Sequence, residues 1–274
     1  MRRLLFKVFA SLFALLYLPS TVAALQLTGQ MQQGGLVIGQ VEPDSLVTLD
    51  QRAVKVSKQG VFVIGFGRDA KANAELTIEN ANGDKTTKTL TIAARQYNIQ
   101  RIEGIAKKII SPSAANIQRS REEAAQVRKA RAQFLDRMDF LSQFQWPLIG
   151  PITGVYGSQR VYNGVPGRPH YGIDIAAPMG APVSTPAPGI VTLVHQDMFY
   201  SGGTLIIDHG YGVSSTMIHL SKVIAKVGDQ VVPGDIVAEV GAGGRATGPH
   251  LDWRMNWMQQ RIDPQLLVPP MPAQ

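Results

Sequence analysis

The chain contains no cysteine. That excludes a disulfide framework, a thiolate nucleophile, a thiolate zinc site and a lipidated N-terminal cysteine. Histidine is scarce, five in 274 residues, and none precedes His170. A metal ion must therefore be held by these imidazoles together with Asp, Glu or water. Beyond the N-terminus no stretch is long and apolar enough to span a bilayer, which takes roughly 20 residues. Basic residues are not interleaved with aromatics, which argues against a nucleic-acid partner. Hydrophobic residues make up 45% and charged residues 17%, so the chain reads as globular, with length for one or two domains.

The N-terminus has the form of a secretory signal. Arg2, Arg3 and Lys7 are followed by the apolar run Val8–Leu18, then Pro19, and small residues at Val22, Ala23 and Ala24. This pattern predicts export to the periplasm or envelope with cleavage near Ala24. The alternative is an uncleaved N-terminal anchor. The formal charge is +7, three of it from this segment. A mildly basic exported protein suits an anionic wall surface.

Three regions follow. Residues 25–95 read as short strands: Val47–Asp50, Val54–Ser57 and Glu75–Glu79 alternate, and Asn82-Gly83 signals a hairpin into Thr87–Ile92. A small β-sandwich is expected, acting as a binding or spacing module. Residues 96–145 form a linker. Within it Ser113–Gln143 has near-helical apolar spacing at Ile117, Ala124, Val127, Phe134, Leu135 and Met138. It reads as a connecting helix with a solvated charged face, or as one that packs near an active site or engages a partner. Residues 146–267 are rich in Gly and Pro and regain β-branched runs such as Gly189–Val194 and Asp235–Val240. They predict a second, antiparallel β domain, making the chain mainly β.

Chemistry-bearing residues concentrate there. In His170-Tyr171-Gly172-Ile173-Asp174 the imidazole and carboxylate would lie about 13 Å apart on an extended strand. Gly172 permits the bend that joins them. In His250-Leu251-Asp252 residues i and i+2 share a strand face about 6–7 Å apart. His219 sits in the apolar run Thr216–Leu220, where a lone histidine is commonly a hydrogen-bonded core residue. His195 follows a strand and reads as surface or structural, and His209, before Gly210, as a turn residue bonding backbone. Gly241–Ala246 fits a dinucleotide fingerprint by letters, but Thr247-Gly248-Pro249 replaces the required helix, so it is discarded.

Taken in order, these motifs resemble the lysostaphin-type (LytM-type) zinc endopeptidases acting on peptidoglycan. That family carries H-x-G-x-D, an H-G turn, a strand ending in H-L, and H-x-H. Here they read His170–Asp174, His209-Gly210, His219-Leu220 and His250-Leu251-Asp252. The resemblance implies a barrel-sandwich domain, a Zn²⁺ held by His170, Asp174 and Asp252, and His219 and His250 beside it as the catalytic pair. Arg160, Asn163, Arg168 and Arg254 are candidates for the substrate groove. Peptidoglycan is the implied substrate, with other murein hydrolases as partners if the domain instead binds wall or activates another enzyme without cutting. Two positions depart from the pattern: Asp252 stands where the family has His, and Met217 where it has Tyr. With Asp174 and Asp252 both ionised, a bound Zn²⁺ would be formally neutralised, weakening its Lewis acidity.

Overall fold

A computed structural model describes residues 25–103 and 113–272. The expected signal segment, Met1–Ala24, lies outside the described residues. Short alternating runs and turn glycines yield the expected β architecture. The strands are β1 (Gln26–Gly29), β2 (Leu36–Gln40), β3 (Leu46–Leu49), β4 (Arg52–Val54), β5 (Val61–Gly65), β6 (Asn73–Glu79) and β7 (Lys85–Thr91) in the first unit. They form two antiparallel sheets, ordered β1-β2-β5 and β4-β3-β6-β7. Phe62 and Ile64 of one sheet and Val47, Leu76 and Leu90 of the other are buried in one cluster. The Asn82-Gly83 hairpin is present. Register Glu79↔Lys85 places the turn at 80–84, where Asn80 Oδ1 accepts from the Asn82 and Asp84 amides.

The expected linker is partly structural. Strand β8 (Ile99–Ile102) pairs in parallel with β10 (Gln159–Tyr162), which turns back through β11 (Val165–Pro166). Helix α1 spans Ala114–Arg131, shorter than the expected Ser113–Gln143. Ser113 caps its start, Oγ accepting from the Asn116 amide, and Arg128, Lys129 and Arg131 complement the dipole at its end. The helical spacing continues past Arg131, but tertiary contacts prevail. Phe134 and Phe140 pack on Tyr211, and the Tyr211 amide donates to Leu135 O. Such contacts override a weak local preference. The helix docks through a carboxylate as well as through apolar residues. Buried Glu123 accepts from the Phe199 amide at 2.9 and 3.1 Å.

The C-terminal unit comprises β9 (Ile152–Gly154), β12 (Ile173–Ala176), β13 (Pro182–Ser184), β14 (Gly189–Met198), β15 (Gly202–Asp208), β16 (Val213–Val223), β17 (Gln230–Val231), β18 (Ile236–Val240), β19 (His250–Trp257) and β20 (Gln260–Ile262). They build one ten-stranded sheet whose main path runs β17-β14-β15-β16-β19-β12-β9. One face carries Ile173, Leu205, Met217, Leu251, Trp253 and Met255 into the core. The other carries Leu193 and Ile206, covered by Val127 and Ala130 of α1. Among the described residues no helix is long and apolar enough to cross a membrane.

The two units share one continuous core. Gly65 packs against Trp257 and Ile262, with no room for a side chain. Arg95 reaches across to Asp263, which is 1% exposed, and donates from Nη1 at 2.7 Å. Removing one partner of such a buried pair strands a charge. Arg95→Ala is therefore expected to cost about 3–5 kcal/mol of unfolding free energy, read by urea denaturation of the full chain; an unchanged midpoint would show that solvent already screens the carboxylate.

Candidate metal centre

Strand register assembles the site. Asp174 on β12 lies directly opposite Asp252 on β19, and Asp252 opposite Ile218 on β16. Alternation then sends Asp174, Asp252, Arg254 and Asn256 to the face opposite Trp253 and Met255. His170 precedes β12, held by hydrogen bonds of its amide to Ser158 O and of its carbonyl with the Gly157 amide. The bend expected at Gly172 is made. His170 Nε2 lies 3.0 Å from Asp174 Oδ1 and 3.4 Å from Asp252 Oδ2. A Cβ at Gly172 would sit 2.3 Å from Asp252 Oδ1, and one at Gly154 would sit 2.2 Å from Asp174 Oδ2. Both glycines are thus needed for the carboxylates to stand where they do.

The three residues offer one nitrogen and two oxygens, all within 4.8 Å of one another. Asp174 Oδ1 is buried yet makes no hydrogen bond, and so is His170 Nδ1. The imidazole nitrogen and the two carboxylate oxygens converge on a shared point. Buried polar atoms left in this state call for a partner. An imidazole and two carboxylates suit a borderline cation such as zinc.

His219 and His250 complete the cluster, with ring centroids 4.9 Å apart. His219 Nδ1 donates to Gly243 O and His250 Nδ1 to Gly248 O, each at 2.8 Å. Both rings are thereby fixed with a free lone pair on Nε2. His250 Nε2 lies 3.7 Å from Asp174 Oδ1. His219 owes its position to a bulge. Register jumps from Leu205↔Met217 to Gly203↔Leu220, and His219 takes a φ of 65°, uncommon for a residue with a side chain. The extra residue re-aims the imidazole toward His250. Burial lowers its pKa, the Gly243 hydrogen bond opposing.

Arg254, a candidate for the substrate groove, lies against the metal-site carboxylate. It forks onto Asp252, Nε donating at 2.9 and 3.1 Å and Nη2 at 2.5 Å. Asp252 is 1% exposed. Burial alone would raise its pKa, but Arg254 and His170 hold it far below the usual carboxylate range. The guanidinium also changes the charge expected of the site. It returns a positive charge directly behind the Asp252 carboxylate, offsetting the neutralisation inferred from sequence.

Arg160 lies on β10 in the separate β11-β10-β8 sheet, with Nε 3.4 Å from Gln100 Oε1. Asn163 is in the turn that follows, its amide bonded to Ile102 O. Arg168 lies exposed two residues before His170. His209 is fully buried, with Nδ1 bonded to Pro188 O and Nε2 to the Ser215 hydroxyl, so it fastens the 208–213 turn as expected. His195 lies within β14 rather than after it, its Nδ1 accepting from the Asp197 amide. Sequence reasoning missed Gly154, Arg131 and Arg261, all at the site. No motif marks them; only the register of β9, β19 and β20 and the docking of α1 bring them there.

Comparisons with known proteins bear on the C-terminal unit first. Residues 168–264 match the profile of Peptidase family M23. Over 114 residues the chain is 39% identical to the peptidoglycan DD-endopeptidase ShyB of Vibrio cholerae, covering 41% of this chain and 26% of that protein. It is 37% identical over 105 residues to the DD-carboxypeptidase/endopeptidase Mpg of Neisseria meningitidis, covering 38% and 24%. The chain thus spans about a quarter of the length of these relatives. A crystal structure of a putative peptidase M23 from Pseudomonas aeruginosa superposes with a TM-score of 0.68 at 26% identity, covering 87% of this chain and 95% of that one. The likeness therefore extends beyond the C-terminal unit to the N-terminal one.

In the metal-free protein, burial works against the charged form of His170, but Asp174 and Asp252 outweigh it and push its pKa up to about 10. The folded value exceeds the ordinary imidazole value of 6.5. This contribution to stability is full below about pH 6.5 and is lost as pH rises toward about 10. A cation binding here must displace that proton. Zinc uptake at pH 7 is expected to release about one proton per site, measured by calorimetry in buffers of different ionisation enthalpy. Zinc uptake without proton release would show that His170 is not a ligand.

Proposed function

We propose that the chain is a zinc-dependent endopeptidase that hydrolyses peptide bonds of peptidoglycan during cell-wall remodelling. The observation that carries this reading is the convergence of His170, Asp174 and Asp252 on one point, with the Nε2 lone pairs of His219 and His250 beside it. The names of the related proteins support the substrate class. Export to the periplasm is part of the proposal and rests on Arg2, Arg3, Lys7 and the apolar run after them.

His170, Asp174 and Asp252 would hold the zinc. When bound, zinc supplies Lewis acidity toward the scissile carbonyl and lowers the pKa of water. The remaining work falls to the protein. His219 and His250 have Nδ1 committed to backbone carbonyls, so Nε2 is the atom that accepts a proton from the attacking water. The same atom, once protonated, donates to the departing amine. Arg254 keeps Asp252 ionised and fixes its rotamer, so the carboxylate is oriented before a substrate arrives.

His170→Ala is expected to lose both bound zinc and release of muropeptides from purified wall. His219→Ala should retain zinc while hydrolysis falls about 10²–10⁴-fold. Muropeptide release that continues unchanged in His170→Ala would sink the endopeptidase reading in favour of a domain that binds wall or activates another hydrolase.

Arg254 also bears on repair of the departure at Asp252. Asp252→His alone leaves the guanidinium buried without its carboxylate, a loss of about 3–5 kcal/mol. The single variant should melt at lower temperature and bind zinc no better than wild type. The double variant Asp252→His with Arg254→Gln should recover both, as read by thermal unfolding and competition with a chromophoric chelator. Equal behaviour of the single and double variants would show that Asp252 and Arg254 are not coupled.

A further inference from the structure

Beside the metal centre three guanidinium groups meet on one patch of the sheet. Arg131, the last residue of α1, donates from Nη2 to Thr216 Oγ1 at 2.8 Å. Thr216 pairs directly with Arg254 across β16 and β19. Two residues along the same face of β19 lies Asn256, whose Oδ1 accepts from Arg261 Nη1 at 3.0 Å. Arg261 is opposite Asn256 on β20, and its guanidinium lies 5.7 Å from the ring of Tyr171, the neighbour of His170.

The patch lacks enough negative charge. Arg254 has Asp252, but among the described residues no carboxylate pairs with Arg131 or Arg261. Arg131 Nε is buried and has no hydrogen-bond partner. Burial lowers the pKa of both, and neighbouring guanidinium groups add to it, Arg261 and Arg254 for Arg131 and Arg254 for Arg261, which falls to about 10. Buried, unpaired cations are costly, and a planar guanidinium matches a carboxylate in shape as well as charge. Asp252 belongs to the donor set, and residues i and i+2 on a strand are about 6–7 Å apart. A group held here lies within about two residues of a peptide bond placed at the metal centre.

We propose that Arg131, Arg254 and Arg261 form a subsite for a carboxylate of the peptide substrate, either a chain terminus or an acidic side chain close to the scissile bond. The assignment rests on the endopeptidase reading. It also gives α1 a role in the site, since Arg131 comes from that helix and the other two arginines from the sheet.

The test uses the full chain, metal-free and zinc-loaded, with a synthetic stem pentapeptide ending in D-alanyl-D-alanine. Two relatives of the peptide carry an amide at the C-terminus or at the isoglutamate. Calorimetry is expected to show that one of the amides binds at least about tenfold more weakly, which identifies the carboxylate recognised, and that the loss persists without zinc. Arg131→Gln with Arg261→Gln should bind all three peptides alike. Arg131→Lys, which keeps the charge, should retain part of the difference and guards against a folding defect in the double variant. The proposal is overturned if all three peptides bind wild type equally, if the double variant still discriminates, or if discrimination vanishes on zinc removal, because the carboxylate then rests on the metal. The two readings fail separately. Wall hydrolysis without discrimination removes only the subsite, whereas discrimination by a protein that cannot cut wall removes only the endopeptidase.

Discussion

The site depends on how closely β12 approaches β19. Their register sets Asp174 against Asp252, two carboxylates that repel unless a cation or donor lies between them. Two glycines make the approach sterically possible: Gly172 leaves space for Asp252, and Gly154 leaves space for Asp174. On the opposite face Trp253, Ile173 and Ile175 are fully buried. The apolar face anchors the strands, and the carboxylates are held together as a consequence. A slip of one residue would exchange the faces and scatter the donors.

Arg254 makes that arrangement tolerable in a different way. A carboxylate at position 252 adds a negative charge to a site that already has Asp174. The guanidinium two residues later on the same face counters it. Asp252 and Arg254 act as a unit, so the chemical character of residue 252 cannot be judged from its own letter. Such coupled neighbours are where additive reasoning about single residues fails.

The second face of the sheet joins the helix to the site. Leu193, Ile206 and Thr216 follow one another across β14, β15 and β16 and lead to Arg254 on β19. Val127, Ala130 and Arg131 of α1 lie along that row. A segment that reads as a charged connector is therefore continuous with the wall of the centre. Its docking is fastened by Glu123, a buried carboxylate on a backbone amide, which no hydrophobic pattern could reveal.

Much of this was legible in the amino acids. Period-two alternation and turn glycines announced a mainly β chain, because those patterns follow from local backbone geometry. His170, Asp174, His219, His250 and Asp252 were identifiable as one constellation because their residue types and order are specific. Other features were decided by tertiary structure alone. The end of α1 at Arg131 depends on aromatic contacts with Tyr211, and the aim of His219 on a bulge against β15. The pairing of Arg254 with Asp252, and the meeting of Arg131 with Arg261, arise from strand register and helix docking between segments far apart in the chain. Local sequence carries donor chemistry and strand periodicity; it carries no record of which distant charge will be buried alongside.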